Sequence, residues 1–236
     1  MGDKTALIVV DVQNDFLPPS GSLAVPGGRE VIPVIQQLLK RDWDVVVASQ
    51  DYHPPDHISF ASNHPGGEVF SQVQKMDAYG NTYTQTLWPN HCVVGTDGVE
   101  IDAELRPELE RLGDSCVLVR KGWHPGVEAY SAFAGYVTPS GSPSDPPPAL
   151  PAADSSELAS FLRARGVGRV VVVGLAGDYC VSATAVSAAE HGFKTAVLLS
   201  GTRSISDEKA GECWEKLREK GGEVIGDEGA LEGWLR

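Results

Sequence analysis

The chain has 236 residues with a hydrophobic share of 42%, enough for one large buried core. Asp and Glu number 32 against 19 Lys and Arg, a formal net charge of −13, which argues against a nucleic-acid partner that would need a basic face. No apolar stretch approaches the roughly 20 residues of a membrane span. Four cysteines in a chain this long do not make a disulfide framework.

Taken in order, the chain alternates strand and helix. Residues 6–10, Ala-Leu-Ile-Val-Val, form a continuous apolar run and read as a strand buried on both faces. A helix follows at 29–40, then a strand at 45–50. Residues 52–98 are long, punctuated by Pro and Gly, and lack a strong strand; they read as an excursion that builds a site and its lid. A third strand begins at Cys116 and ends in the cation Lys121. Residues 138–153 are Pro-rich and low in complexity, so an extended surface loop is expected. Then come a helix at 154–165, a strand at 170–173, a helix at 179–191, and a strand at 195–199. A helix at 207–220, with Ser206 as its cap, and a strand at 223–225 complete the pattern. This predicts an α/β protein: one domain over 1–236, three layers α/β/α, with a mostly parallel six-stranded sheet. Met1-Gly2-Asp3-Lys4 runs straight into the first strand, and Gly233-Trp234-Leu235-Arg236 is no peroxisomal signal, so a cytoplasmic location is expected.

The chemistry falls at strand ends. Cys180 follows the run Val170–Val173 and a Gly-containing turn, at the start of a helix. Backbone N–H groups there can favour a thiolate or hold an oxyanion. Taken alone, the segment also fits a small buried structural thiol. Asp11 follows the first strand and Lys121 ends the third, so a base, a cation and a nucleophile reach the same kind of place. Asp51 and His53 stand at i and i+2 of an extended stretch and can share one ion, with His91 following in Trp88-Pro89-Asn90-His91-Cys92. One carboxylate and two imidazoles suit Zn²⁺, Fe²⁺ or Mn²⁺ with open positions left. His57 is a fourth candidate, or a supporting residue. His64, His124 and His191 have no ligand spacing, and Cys92, Cys116 and Cys213 read as structural thiols.

Six motifs carry a resemblance over most of the chain: D-V-Q-N-D-F at 11–16, Q-D-Y-H-P-P-D-H at 50–57, W-P-N-H-C-V-V-G-T at 88–96, K-G at 121–122, Y-S-A-F at 130–133 and G-L-A-G-D-Y-C-V at 174–181. In type and order they resemble the nicotinamidase branch of the isochorismatase-like cysteine hydrolases. The resemblance implies a triad of Asp11, Lys121 and Cys180, and metal ligands Asp51, His53 and His91 holding one divalent ion, zinc first. It implies an oxyanion hole from the amides of Ala176 and Cys180, with a cis peptide at Leu175–Ala176, and substrate walls from Phe16, Trp88 and Tyr130. The activity implied is hydrolysis of nicotinamide to nicotinate and ammonia through a thioester, a step of NAD salvage. A homo-oligomer is compatible with the sequence, which does not set the assembly. Gly177 departs from the pattern, where a bulkier residue, often Thr, is usual. Two other readings stay open: a hydrolase of another small amide, such as an N-carbamoyl or ureido compound, and a non-catalytic ligand-binding module.

Overall fold

The computed structural model describes residues 4–138, 147–153 and 155–236. Its strands are β1 (Lys4–Val10), β2 (Val45–Asp51), β3 (Gln72–Met76), β4 (Thr82–Thr86), β5 (Cys116–Lys121), β6 (Tyr136–Thr138), β7 (Val167–Gly174), β8 (Lys194–Thr202) and β9 (Glu223–Ile225). Seven of them form the main sheet in the order β6-β5-β2-β1-β7-β8-β9, parallel throughout except for β6.

The apolar runs explain the layers. Along β1, Leu7 and Val9 belong to one core while Ala6, Ile8 and Val10 belong to the other; along β7, Val171 and Val173 oppose Val170 and Val172 in the same way. A strand whose alternate side chains both meet apolar cover reads as an unbroken hydrophobic run. Helices α1 (Val31–Leu38) and α6 (Glu228–Leu235) cover the first face, with α2 (Arg106–Arg111) also packed into it. Helices α3 (Glu157–Ala164), α4 (Ser182–Glu190) and α5 (Asp207–Glu219) cover the second. Side-chain caps start three of them: Ser156 accepts from Ala159 N, Ser206 from Lys209 N, and Asp227 from Ala230 N.

The expected three-layer α/β/α class holds, and the sheet gains a seventh strand. Strand β6 is only three residues, too short to leave a pattern, and pairs antiparallel with β5 at the sheet edge. It takes in Thr138, the first residue assigned to the Pro-rich loop; residues 139–146 of that loop lie outside the described residues, and 147–153 are irregular. Within 52–98, β3 and β4 form a hairpin apart from the main sheet, where no strand was expected. The expected helix at 179–191 begins only at Ser182, because Gly177–Val181 forms a π-helical turn. Helices α2 and α6 are additional. Among the described residues, no helix is long and apolar enough to cross a membrane.

The strand order fixes where a site can form. From β1 the chain builds outward through β2 to β5, then returns to the other side of β1 to place β7. The crevice beyond the carboxyl ends of β1 and β7 is therefore the topological switch point, where open α/β sheets hold their ligands.

Candidate active site

Four adjacent strands deliver the side chains. Asp11 is the first residue past β1 and takes a left-handed conformation, φ 49°, uncommon for a residue with a Cβ. Asp51 ends β2 and Lys121 ends β5, and the register makes them direct partners. Cys180 lies in the π-helical turn after β7; such turns are rare and recur at functional sites.

Lys121 is fully buried and organises the cluster. Its Nζ lies 2.8 Å from Asp11 Oδ2, pairs with Asp51 Oδ1, and stands 3.4 Å from Cys180 Sγ. Ser49 Oγ donates to the other Asp11 oxygen at 2.6 Å. Gln13 fixes the end of β2: its Nε2 donates to the Asp51 carbonyl at 2.8 Å and its Oε1 accepts from the Asp51 amide at 2.9 Å. Asp11, Lys121 and Cys180 thus meet in one buried group, as their positions at strand ends suggested.

The electrostatics follow from burial and from two carboxylates sharing one cation. Burial pushes the Asp11 carboxyl up, the Asp51 charge adds to this, and Lys121 opposes it. Burial also opposes ionisation of Asp51, but Lys121, His53 and His91 outweigh it and hold that carboxyl below its usual range. Burial disfavours the Lys121 ammonium, yet Asp11 and Asp51 keep it charged far above neutral pH. Burial raises the Cys180 thiol, and the neighbouring carboxylates raise it further against the pull of Lys121. Desolvation and carboxylate repulsion thus oppose the thiolate that a helix start would favour. Removing the cation should unmask that repulsion. Lys121→Met is expected to destabilise the fold by about 3–5 kcal/mol, read as a lower urea midpoint, because two buried carboxylates lose their partner.

Beside this cluster, Asp51, His53 and His91 bring one donor atom each within 4.8 Å of one another. His53 Nε2 lies 3.6 Å and His91 Nε2 3.8 Å from Asp51 Oδ2. The other ring nitrogens are occupied: His53 Nδ1 meets the Gly122 carbonyl at 2.9 Å and His91 Nδ1 the Pro89 carbonyl at 2.8 Å. A carbonyl can only accept, so each Nδ1 carries a proton, and each Nε2 faces the Asp51 carboxylate, where its lone pair is available to a cation. Metal-binding imidazoles are fixed in this way, and the three residues fit a divalent cation. Gly122, at φ 68°, leaves room for the His53 ring, which any Cβ there would strike. Asp15 Oδ2 accepts from the Cys92 amide at 2.7 Å and so anchors the chain next to His91.

His57 is not placed as a ligand. Its ring stacks on His53 with centroids 4.1 Å apart, but Nε2 meets the Val127 carbonyl at 3.0 Å and Nδ1 meets Ser59 Oγ at 2.7 Å. Burial holds its pKa at about 2, so it supports His53 as a neutral ring. His64 is likewise engaged locally, with the Ile58 carbonyl.

Both clusters open on a cavity of about 30 Å³. Phe16, Trp88 and Tyr130 line it, together with Asp51, His91, Ala176 and Cys180. Trp88 Nε1 donates to Tyr130 Oη at 3.1 Å. Sequence reasoning missed Tyr179, Glu128 and Ile205, which also line it. Tyr179 packs edge-on against Trp88 at 5.0 Å and carries Lys209 Nζ 3.2 Å over its face. Glu128 is half-buried, and burial together with the Asp51 charge lifts its carboxyl above the ordinary range. An acid two residues before Tyr130 in the short run Gly126–Tyr130 was the available signal. The Leu175–Ala176 peptide is cis. Among the described residues, the Ala176 N–H has no hydrogen-bond acceptor.

Comparison with known proteins gives this arrangement a family. The isochorismatase domain model matches residues 5–130 and 148–228. A nicotinamidase from Acinetobacter baylyi is 38% identical over 233 residues, 97% of this chain and 95% of that one. The yeast nicotinamidase bound to the inhibitor nicotinaldehyde superimposes with a TM-score of 0.82 at 35% identity, covering 95% of this chain and 100% of that one. The pyrazinamidase of Pyrococcus horikoshii in complex with zinc gives 0.68 at 31% identity, covering 94% and 98%. With its motifs in family order and matches spanning nearly its whole length, the chain belongs to the isochorismatase-domain family.

Proposed function

We propose that the protein is a metal-dependent nicotinamidase, converting nicotinamide to nicotinate and ammonia for NAD salvage in the cytoplasm. The observation that carries this reading is the buried contact of Lys121 with Asp11, Asp51 and Cys180, beside three metal-type donors in an aromatic-walled cavity. The relatives named nicotinamidase support the substrate.

In this reading Asp11 takes the thiol proton as Cys180 Sγ attacks the carboxamide carbon. Because burial raises the thiol, the two events occur together. The amides of Ala176 and Cys180 receive the oxyanion, each worth about 2.7–4 kcal/mol in comparable sites. Lys121 holds Asp11 in place and balances the negative charge. As the C–N bond breaks, Asp11 returns the proton to the leaving ammonia. The same carboxylate then takes a proton from the water that hydrolyses the thioester, releasing nicotinate and restoring the thiol. A divalent ion on Asp51, His53 and His91 would offer an open position to a ring nitrogen.

Ammonia release by the purified protein tests this, with nicotinamide set beside N-carbamoyl and ureido compounds. Release from nicotinamide, lost on treatment with a chelator and restored by Zn²⁺, Fe²⁺ or Mn²⁺, is the expected result. A rate confined to the ureido compounds would move the activity to another amide.

A further inference from the structure

Part of the cavity wall comes from outside the motifs. Ile205 lines it from the segment between β8 and α5, although the residue is 41% exposed. Three hydrogen bonds hold this segment against the π-helical turn that carries Cys180, and an ion pair ties it to Glu30. The Gly177 N–H donates to the Arg203 carbonyl at 2.8 Å. The buried Asp178 carboxylate accepts from the Ile205 amide at 3.0 Å and from the Ser206 amide at 3.1 Å. Arg203 meets Glu30 Oε2 through Nε at 3.1 Å and Nη2 at 2.8 Å. Gly177 makes the close approach possible: a Cβ there would overlap Ser204 Oγ and lie 3.1 Å from Thr202 Cγ2 and 3.3 Å from Trp214 Cζ2. A Thr, the kind of residue the family pattern favours at this position, would turn the Ser204 hydroxyl aside and press on the Thr202 and Trp214 side chains that flank the segment.

We propose that Gly177 and Asp178 are positioning residues that narrow the substrate cavity, by seating residues 203–206 so that Ile205 excludes substituted rings. This deepens the nicotinamidase reading and rests on it for the identity of the substrate. A carboxylate that accepts two backbone N–H groups fixes the segment firmly, since charge-assisted hydrogen bonds are the strong ones. A wall side chain that meets the ring counts, because one methyl group in a hydrophobic pocket changes discrimination by about 10–200-fold.

The experiment compares wild type, Ile205→Ala and Gly177→Thr in two measurements. The first is kcat/KM for nicotinamides carrying one methyl group at each ring carbon, relative to nicotinamide. Both variants are expected to raise that ratio about tenfold for at least one ring position. The second needs no turnover: the rate at which N-phenyliodoacetamide labels Cys180, relative to iodoacetamide, is expected to rise in the same variants. Ile205→Ala truncates a half-exposed residue and decides the case if Gly177→Thr does not fold. Ratios within about twofold of wild type for every ring position and for labelling in Ile205→Ala would overturn the proposal. A wild type without turnover of nicotinamide would instead defeat the nicotinamidase reading, and the labelling ratio would still judge the wall.

Discussion

Cys180→Ala is expected to lower nicotinamide turnover by about four orders of magnitude or more while the fold survives. The substitution removes the attacking atom and leaves Asp11, Lys121 and the aromatic walls in place. Its structural cost is small, about 1 kcal/mol, because one sulfur is lost and one group facing two carboxylates disappears. Ammonia release and a urea unfolding curve, measured on the same preparation, separate the two effects. Asp11→Asn should be nearly as inactive. The amide keeps the shape and can still accept from Ser49, but it cannot take the thiol proton. Burial still raises the thiol in that variant, and no base stands beside it to take the proton as sulfur attacks. Comparable activity in either pure variant would remove the residue from its role.

His53→Ala should act on binding and selectivity more than on the thiol. His53 supplies one of three donors and is held in its tautomer by the Gly122 carbonyl. Losing it should strip the metal and raise KM for nicotinamide about 10–100-fold. It should also draw the nicotinamide-to-benzamide ratio of kcat/KM toward parity, since benzamide has no ring nitrogen to offer. Labelling of Cys180 by iodoacetamide should change less, because Lys121 and Asp11 stay beside the thiol. Elemental analysis and the substrate ratio decide the matter. An unchanged ratio in a metal-free variant would leave the ion structural and return selectivity to Phe16, Trp88 and Tyr130.

The central sheet was legible because β1, β2, β5 and β7 are covered on both faces and so write themselves as apolar runs. A charged residue at or just past the end of three of these runs, Asp11, Asp51 and Lys121, marked the edge where the candidate site assembles. Elements with one weak face left no such trace. Strand β6 spans three residues, and the β3–β4 hairpin alternates without an apolar core of its own. Helix α6 is short and carries two Gly. The cavity walls divided along the same line. Phe16, Trp88 and Tyr130 came from motifs, and Tyr179 lies in the Cys180 motif without being assigned a wall, whereas Glu128 and Ile205 reach the cavity from segments outside the motifs. The burial of Cys180 beside two carboxylates, which raises its thiol, is a property of the assembled site and leaves no trace in the sequence.

The most direct measurement is acid quenching of the wild-type enzyme during turnover of nicotinamide, followed by mass spectrometry of its peptides. Covalent catalysis predicts a nicotinoyl thioester on the peptide containing Cys180, absent from Cys180→Ala. An unmodified Cys180 peptide throughout turnover, with ammonia still released by Cys180→Ala, would contradict it.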